Sequence, residues 1–258
     1  MHRHLEHVTS SQKIKHDSQK EGYKEKWNGK YYTIAIEGNV GSGKSLFIHN
    51  LLRHIKTIDS EAFTLIEEIP EPIQKWQNLN GVNLLEEMYK DPKKFSFPFQ
   101  TYVHMTMMQN YANSNKNKYI RIVERSLWSA KFCFVESLHN NGTFSDTEYQ
   151  ILEEWIQFLT LSNKINYKID HIVYLKSDPN IAFKRMQKRG RMEERNTTIK
   201  YIKEIHDAHE KWLNDDSENY PSIEKTVINV NEGLEEVNNQ CKSHYEHICN
   251  KAIKAITK

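Results

Sequence analysis

The chain is poor in the residues that mark specialised architectures. Among 258 residues there are three cysteines, Cys133, Cys241 and Cys249. An odd number with no Cys-x-x-Cys spacing fits neither a disulfide scaffold nor a cysteine zinc site. All three are expected as free thiols in a reducing compartment, and packing on a helix is the expected role of Cys241 and Cys249. No apolar run approaches the roughly 20 residues that a membrane helix needs, so no membrane partner is expected. Charge of one sign is also missing. With 36 basic side chains against 34 acidic ones, the chain has no excess with which to hold a nucleic-acid backbone. Residues 1–29 lack the apolar centre of a secretory signal. They carry Arg3 as their only arginine, beside Glu6, Asp17, Glu21 and Glu25, unlike an arginine-rich, acid-poor organellar leader. His2, His4, His7 and His16 stand in this polar stretch without aliphatic periodicity, so a disordered leader is expected there rather than a metal site. The expected location is cytoplasmic, with nuclear and mitochondrial placements left open.

What is present is a globular composition, 38% hydrophobic and 27% charged, long enough for one substantial core. Residues 30–258 are expected to form a single domain in which strands and helices alternate, the pattern of a parallel sheet flanked by helices. Strands are predicted over 31–37, 64–66, 119–124, 171–175 and 225–230. Helices are predicted from about Lys44 to Lys56, from Phe99 to Ala112 after Pro98, and from a capping Asp146 to Leu161. A further helix opens at Asp178-Pro179.

Between the first strand and the first helix stands Gly38-Asn39-Val40-Gly41-Ser42-Gly43-Lys44-Ser45. It matches G-x-x-x-x-G-K-[ST] in the context that motif requires. Glycines let successive N–H groups curl around one anion, and the helix N-terminus adds partial positive charge. Lys44 is expected at the β- and γ-phosphates of a nucleotide and the Ser45 hydroxyl on Mg²⁺. Neither Asn163-Lys164-Ile165-Asn166 nor Asn115-Lys116-Asn117-Lys118 supplies the aspartate of a guanine-reading N-K-x-D motif, and the chain is short for a motor. A small kinase remains.

Three segments that follow strands carry the remaining chemistry: Glu71-Pro72 with Lys75-Trp76, Glu124-Arg125-Ser126, and a helix bearing Arg185, Lys188, Arg189 and Arg191 before Glu193-Glu194. Together with Gly81 to Leu85, Met88 to Pro92, Pro98-Phe99-Gln100 with Tyr102-Val103, Phe134 to Glu136, Leu152 to Trp155, and His206 with His209-Glu210 and Trp212-Leu213, they resemble the deoxyribonucleoside kinases in the right order over roughly residues 30–213. Within that family the pattern most resembles the insect multisubstrate and mitochondrial thymidine kinase branches.

The resemblance implies a P-loop nucleoside-kinase fold with a five-stranded parallel sheet and an arginine-bearing lid at about 185–198. It implies transfer of the γ-phosphoryl group of ATP to the 5′-hydroxyl of a deoxynucleoside. Glu71 resembles the general base, and Arg125 the residue that holds the 5′-oxygen and Glu71 together. Glu124 resembles a second Mg²⁺ contact beside Ser45, and Arg185, Arg189 and Arg191 the lid arginines. Gln100 resembles the base-reading amide, whose donor and acceptor suit thymine in one orientation and cytosine in the other. Trp76, Phe99, Val103, Met107 and Phe134 resemble the pocket walls, and Tyr89 with Glu194 the pair on the 3′-hydroxyl. Met107 and Ala130 stand where deoxycytidine kinases of this superfamily carry arginine and aspartate, which implies an uncharged pocket open to thymidine. The family also implies a homodimer, through segments 99–112 and 146–161, and feedback inhibition by the end-product deoxynucleoside triphosphate.

Small departures are Ser45 for threonine, Ile69-Pro70 for Leu-Thr before Glu71, and Ile199 for leucine. Two other readings are weighed against this one. A nucleoside monophosphate kinase would place arginine where Glu71 stands, and a non-catalytic subunit would have lost Lys44, Glu71 or the lid arginines.

Overall fold

The computed structural model describes residues 31–115, 117–161, 166–214, 222–232 and 234–257; the leader expected over residues 1–29 lies outside them. Strand β1 (Tyr32–Glu37) leads to helix α1 (Lys44–Ile58), the short α2 (Ser60–Thr64), β2 (Ile66–Ile69), α3 (Ile73–Gln77), α4 (Leu84–Lys90) and the long α5 (Pro92–Ala112). Beyond β3 (Ile120–Glu124) come α6 (Leu127–Ser129), a π-helical stretch (Ala130–Val135), α7 (Glu136–Asn140) and α8 (Asp146–Leu161). The chain ends with β4 (His171–Lys176), α9 (Pro179–Arg189), a 3₁₀ turn (Met192–Asn196), α10 (Ile199–Asn214), β5 (Glu224–Asn229) and α11 (Leu234–Thr257).

The strands form one sheet in the order β2-β3-β1-β4-β5, and every pair is parallel. This is the expected α/β architecture with five parallel strands. All six residues of β1 are buried, as a central parallel strand covered on both faces requires. Strand order reverses at β1, with β3 on one side and β4 on the other, so a crevice opens at the carboxyl ends. Register sets what meets there: Ile36 pairs with Glu124, and Glu37 with Tyr174.

Alternation along β1 separates two cores. Ile34 and Ile36 join Ile122, Val173 and Leu175 under α1 and α11, with Leu51, Ile55, Cys241 and Cys249. Ala35 joins Val123 and Tyr174 on the opposite face, under Tyr111 of α5, Cys133 of the π-helical stretch and Trp212 of α10. All three cysteines are free and buried.

Several boundaries differ from the sequence reading, each for a local reason. Thr64 closes a helix rather than opening a strand, because the Asp59 carboxylate accepts from the N–H groups of Glu61 and Ala62 and starts α2 there. Strand β2 therefore runs Ile66–Ile69. Helix α5 begins at Pro92, since Asp91 caps it by accepting from the Lys94 N–H, and Pro98 lies inside it. The carbonyl that Pro98 leaves unbonded belongs to exposed Lys94. Ser145, not Asp146, caps α8. Its hydroxyl accepts from the Glu148 N–H at 3.3 Å while the Glu148 carboxylate accepts from the Ser145 N–H at 2.9 Å, a reciprocal capping box.

Candidate active site

The loop Gly38–Ser45 leaves β1 and runs directly into α1. Gly41 has φ 81°, and a Cβ there would lie 2.2 Å from the Ala182 carbonyl oxygen, so no other residue fits against α9. Asn39 braces the loop instead of facing a ligand. Its amide donates to the Ile202 carbonyl at 2.8 Å and its Oδ1 accepts from the Val40 N–H at 2.8 Å. Lys44 is buried, and its ammonium donates to the Gly38 and Asn39 carbonyls at 3.3 and 3.0 Å. Burial, and then the neighbouring Arg125, lower its pKa to about 8 against the pull of Glu124, Glu71 and Glu37. The Ser45 hydroxyl donates to Glu124 Oε1 at 3.0 Å. A glycine cradle, a buried ammonium and a hydroxyl–carboxylate pair are the donor set that suits a phosphate chain carrying a hard divalent cation. The buried Ser42 Oγ, with no partner, adds a free hydroxyl to that cradle.

Glu71 follows β2, and Arg125 follows β3. The Arg125 Nε–H donates to Glu71 Oε1 at 3.0 Å, and its guanidinium carbon lies 4.8 Å from the centre of the Phe134 ring. Arg125 adopts φ 64°, a conformation that costs a side-chain-bearing residue about 1–3 kcal/mol and persists where surroundings enforce it. Burial raises the pKa of Glu71, while Arg125 and Lys44 oppose the shift. Burial also works against the charge of Arg125, yet Glu71 and Glu37 hold its pKa above the ordinary value.

A cleft joins these groups. One end is lined by Val40, Gly41, Lys44, Glu124 and Arg191. The other is an apolar slot of Trp76, Phe99 and Phe134, with Gln100 and Tyr89. Trp76 and Phe99 meet edge to face with centroids 5.6 Å apart, and the indole N–H is held by Thr106 Oγ1 at 2.9 Å. Gln100 is buried, and its Oε1 has no partner, so its acceptor is free for a planar ligand. At the lid, Arg189 donates twice to Glu194, at 2.7 and 2.9 Å, and Arg191 lies 3.6 Å from it. The neighbouring Glu193 Oε1 accepts from Gln77 at 2.8 Å and Asn83 at 2.9 Å.

Not every expected residue reaches the cleft. Val103, Met107 and Ala130 stand behind the slot in the apolar cluster around Trp76 and Phe99. Arg185 points elsewhere: it donates to the Val230 and Glu232 carbonyls at 2.7 and 2.8 Å, pinning the loop after β5. Sequence reasoning missed Ile73, Leu85, Met88 and Tyr201, which also line the cleft. Leu85, Met88 and Tyr89 share a face of α4 at helical spacing, a signal that flanking segments already carried. The Tyr89 and Tyr201 rings meet edge to face at 6.2 Å.

Comparison with known proteins bears on this geometry. A family model described as deoxynucleoside kinase matches residues 34–255. The chain is 37% identical over 197 residues to the probable deoxycytidine kinase of Fowlpox virus (strain NVSL), covering 76% of this chain and 77% of that one. It is 34% identical over 190 residues to the mitochondrial thymidine kinase 2 of Homo sapiens, covering 74% and 67%. It is 31% identical over 238 residues to deoxycytidine kinase 2 of Gallus gallus, covering 82% and 86%.

Proposed function

The chain belongs to the deoxynucleoside kinase family, and from that premise we propose that it moves the γ-phosphoryl group of ATP to the 5′-hydroxyl of thymidine and deoxycytidine, with Glu71 as general base. The observation that carries this reading is the Glu71–Arg125 pair, set between the Lys44 loop and the apolar slot. A sugar hydroxyl is a weak nucleophile near neutral pH. A carboxylate of raised pKa within hydrogen-bond reach takes its proton as the oxygen attacks. Arg125 orients both oxygens and, with Lys44, Arg189 and Arg191, balances charge on the transferring group. Ser45 and Glu124 would hold Mg²⁺, which when bound neutralises phosphate oxygens.

The amide of Gln100, with its free acceptor, pairs with either pyrimidine. Met107 and Ala130 leave the surrounding wall uncharged, which supports acceptance of thymidine. Tyr89 and Glu194 hold the 3′-hydroxyl and crowd a ribose 2′-hydroxyl. A homodimer is part of the proposal. It is supported by the exposed Ile151, Trp155 and Phe158 on α8, where the last two rings stack at 6.1 Å. Inhibition by thymidine triphosphate is a further part, and unchanged activity at millimolar triphosphate removes it. Among the described residues no helix is long and apolar enough to cross a membrane. A cytoplasmic setting is proposed on the three free cysteines.

The test is phosphate transfer from Mg-ATP to thymidine, deoxycytidine, deoxyadenosine, deoxyguanosine and thymidine monophosphate. Both pyrimidine deoxynucleosides are expected to turn over, and Glu71→Gln is expected to lower that turnover roughly 10²–10⁴-fold. Thymidine turnover a hundredfold below deoxycytidine overturns the specificity, and turnover of the monophosphate alone overturns the acceptor.

A further inference from the structure

Glu37 ends β1 one residue before the phosphate loop and is fully buried. A carboxylate in that position is costly unless it is paired, and Ser126 is its principal partner, with the Ser129 hydroxyl beside it. Glu37 Oε1 accepts from the Ser126 backbone N–H at 2.8 Å and from the Ser126 hydroxyl at 2.5 Å. Ser126 directly follows Arg125, the residue held at φ 64°. The Arg125 N–H in turn donates to the Ile36 carbonyl at 3.1 Å. The end of β1 therefore grips the strained turn on both sides of its strained residue. Burial raises the pKa of Glu37, and Ser126, Arg125, Ser129 and Lys44 oppose the shift.

We propose that Glu37 is a positioning residue for phosphoryl transfer: it clamps the turn that aims Arg125 at Glu71. This rests on the roles read for Glu71 and Arg125. Glu37 is not among the residues that line the cleft. Its effect passes through Ser126 and the guanidinium, so the consequence of losing it depends on Arg125 being present.

The experiment measures kcat, thymidine KM and Tm for the full chain, for Glu37→Gln, for Arg125→Lys and for the double variant. Glu37→Gln is expected to lower kcat about 10–100-fold, the usual cost of losing an orienting partner, with thymidine KM within about threefold. In the Arg125→Lys background the same substitution is expected to change kcat by less than about threefold, because neighbours that act as one unit are not additive. Equal losses in both backgrounds, or no loss in either, overturn the proposal. If Glu37→Gln does not fold, Ser126→Ala removes the hydroxyl half of the clamp together with the 3.3 Å bond that the Ser129 N–H makes to that oxygen. It is expected to show a smaller loss with the same dependence on Arg125, and a loss independent of Arg125 overturns the proposal. Full turnover by Arg125→Lys alone overturns the site reading itself, and the clamp with it.

Discussion

The two faces of the sheet are built from the same strands but by different rules. Under α1 and α11 the contacts are mostly apolar: Ile34, Ile36, Ile122, Val173 and Leu175 meet Leu51 and Ile55, and the Phe47 and Tyr245 rings meet edge to face at 5.2 Å. On the other face, alternation brings Ala35 and then Glu37 out of β1, beneath a layer that includes Tyr111, Cys133 and Trp212. Here the Tyr111 hydroxyl, Glu37 Oε2 and Arg125 Nη1 are buried without partners. Burial pushes the Cys133 thiol well above its usual range. One face is a support held mainly by apolar burial, and its unpaired Tyr32 hydroxyl is neutral. The other accepts unpaired polar groups and a strained Arg125, because the crevice at its rim needs charges that water does not quench.

The sharpest way to break this contrast is at Glu71. Glu71→Gln keeps size and burial, so Tm is expected to move by less than about 2 °C, while kcat falls roughly 10²–10⁴-fold. A drop in Tm with kcat unchanged would mean that this carboxylate belongs to the supporting side. Burial raises the pKa of the same carboxyl while Arg125 and Lys44 oppose the shift, and kcat is expected to rise with pH as Glu71 ionises. That rising limb should disappear in Glu71→Gln.

On the supporting face the complementary result is expected. Leu51 is fully buried, and Leu51→Ala should cost about 2–5 kcal/mol in denaturant unfolding. The folded fraction should keep kcat within about twofold. A large kcat loss at full folding would show that the two faces are coupled rather than separate.

The contrast also decides what could be read from sequence. The phosphate loop was legible because its eight residues are consecutive and their chemistry is carried by the backbone. Glu124-Arg125 was legible as a polar pair at the end of an apolar strand, whereas Glu71 was read through its resemblance to the family's general base. The slot was harder. Leu85 and Met88 carry no polar mark, and an apolar helix face reads as ordinary core until topology brings α4 over the cleft. Helical spacing put Arg185 and Arg189 on one face, but the direction of Arg185 is set by carbonyls at Val230 and Glu232, far along the chain. Glu37 was passed over as the last residue of a strand, because its partner Ser126 is supplied only by the register of β1 against β3.

Lys44 tests whether the catalytic face is maintained at the expense of stability. Its pKa in the folded protein is about 8 against an ordinary 10.5, so the folded state binds this proton less well than the unfolded chain. Below about pH 8 the full cost of the buried charge is present, and the cost is relieved as pH rises from about 8 to 10.5. Without ligand, Lys44→Met is therefore expected to be more stable than the parent at pH 7, by roughly 1–3 kcal/mol. The gap should close toward pH 10. Saturating ATP should reverse the order, since only the parent binds it well. A Met variant less stable than the parent at pH 7 would mean that the bonds to Gly38 and Asn39 outweigh the burial of charge.

The smallest effect is expected at the lid, where the polar contacts are nearer to solvent. Burial alone would raise the pKa of Glu193, but donation from Asn83, its own backbone N–H and Gln77 holds it below the ordinary carboxylate value. A depressed carboxylate contributes stability above its unfolded pKa and loses it as pH falls through the folded value. Docking of the 3₁₀ turn on α3 and α4 should then weaken in acid. Because Glu193 stands next to Glu194, this weakening should appear as a rising nucleoside KM while kcat changes little. Glu193→Gln keeps a carbonyl acceptor without the charge, so a KM increase of about two- to fivefold is expected, near 1 kcal/mol or less. The acid-dependent rise should be flattened in the variant. An equal pH dependence in parent and variant would mean that Glu193 is not the titrating group, and would leave Gln77 and Asn83 as a neutral hydrogen-bonded seat for the lid.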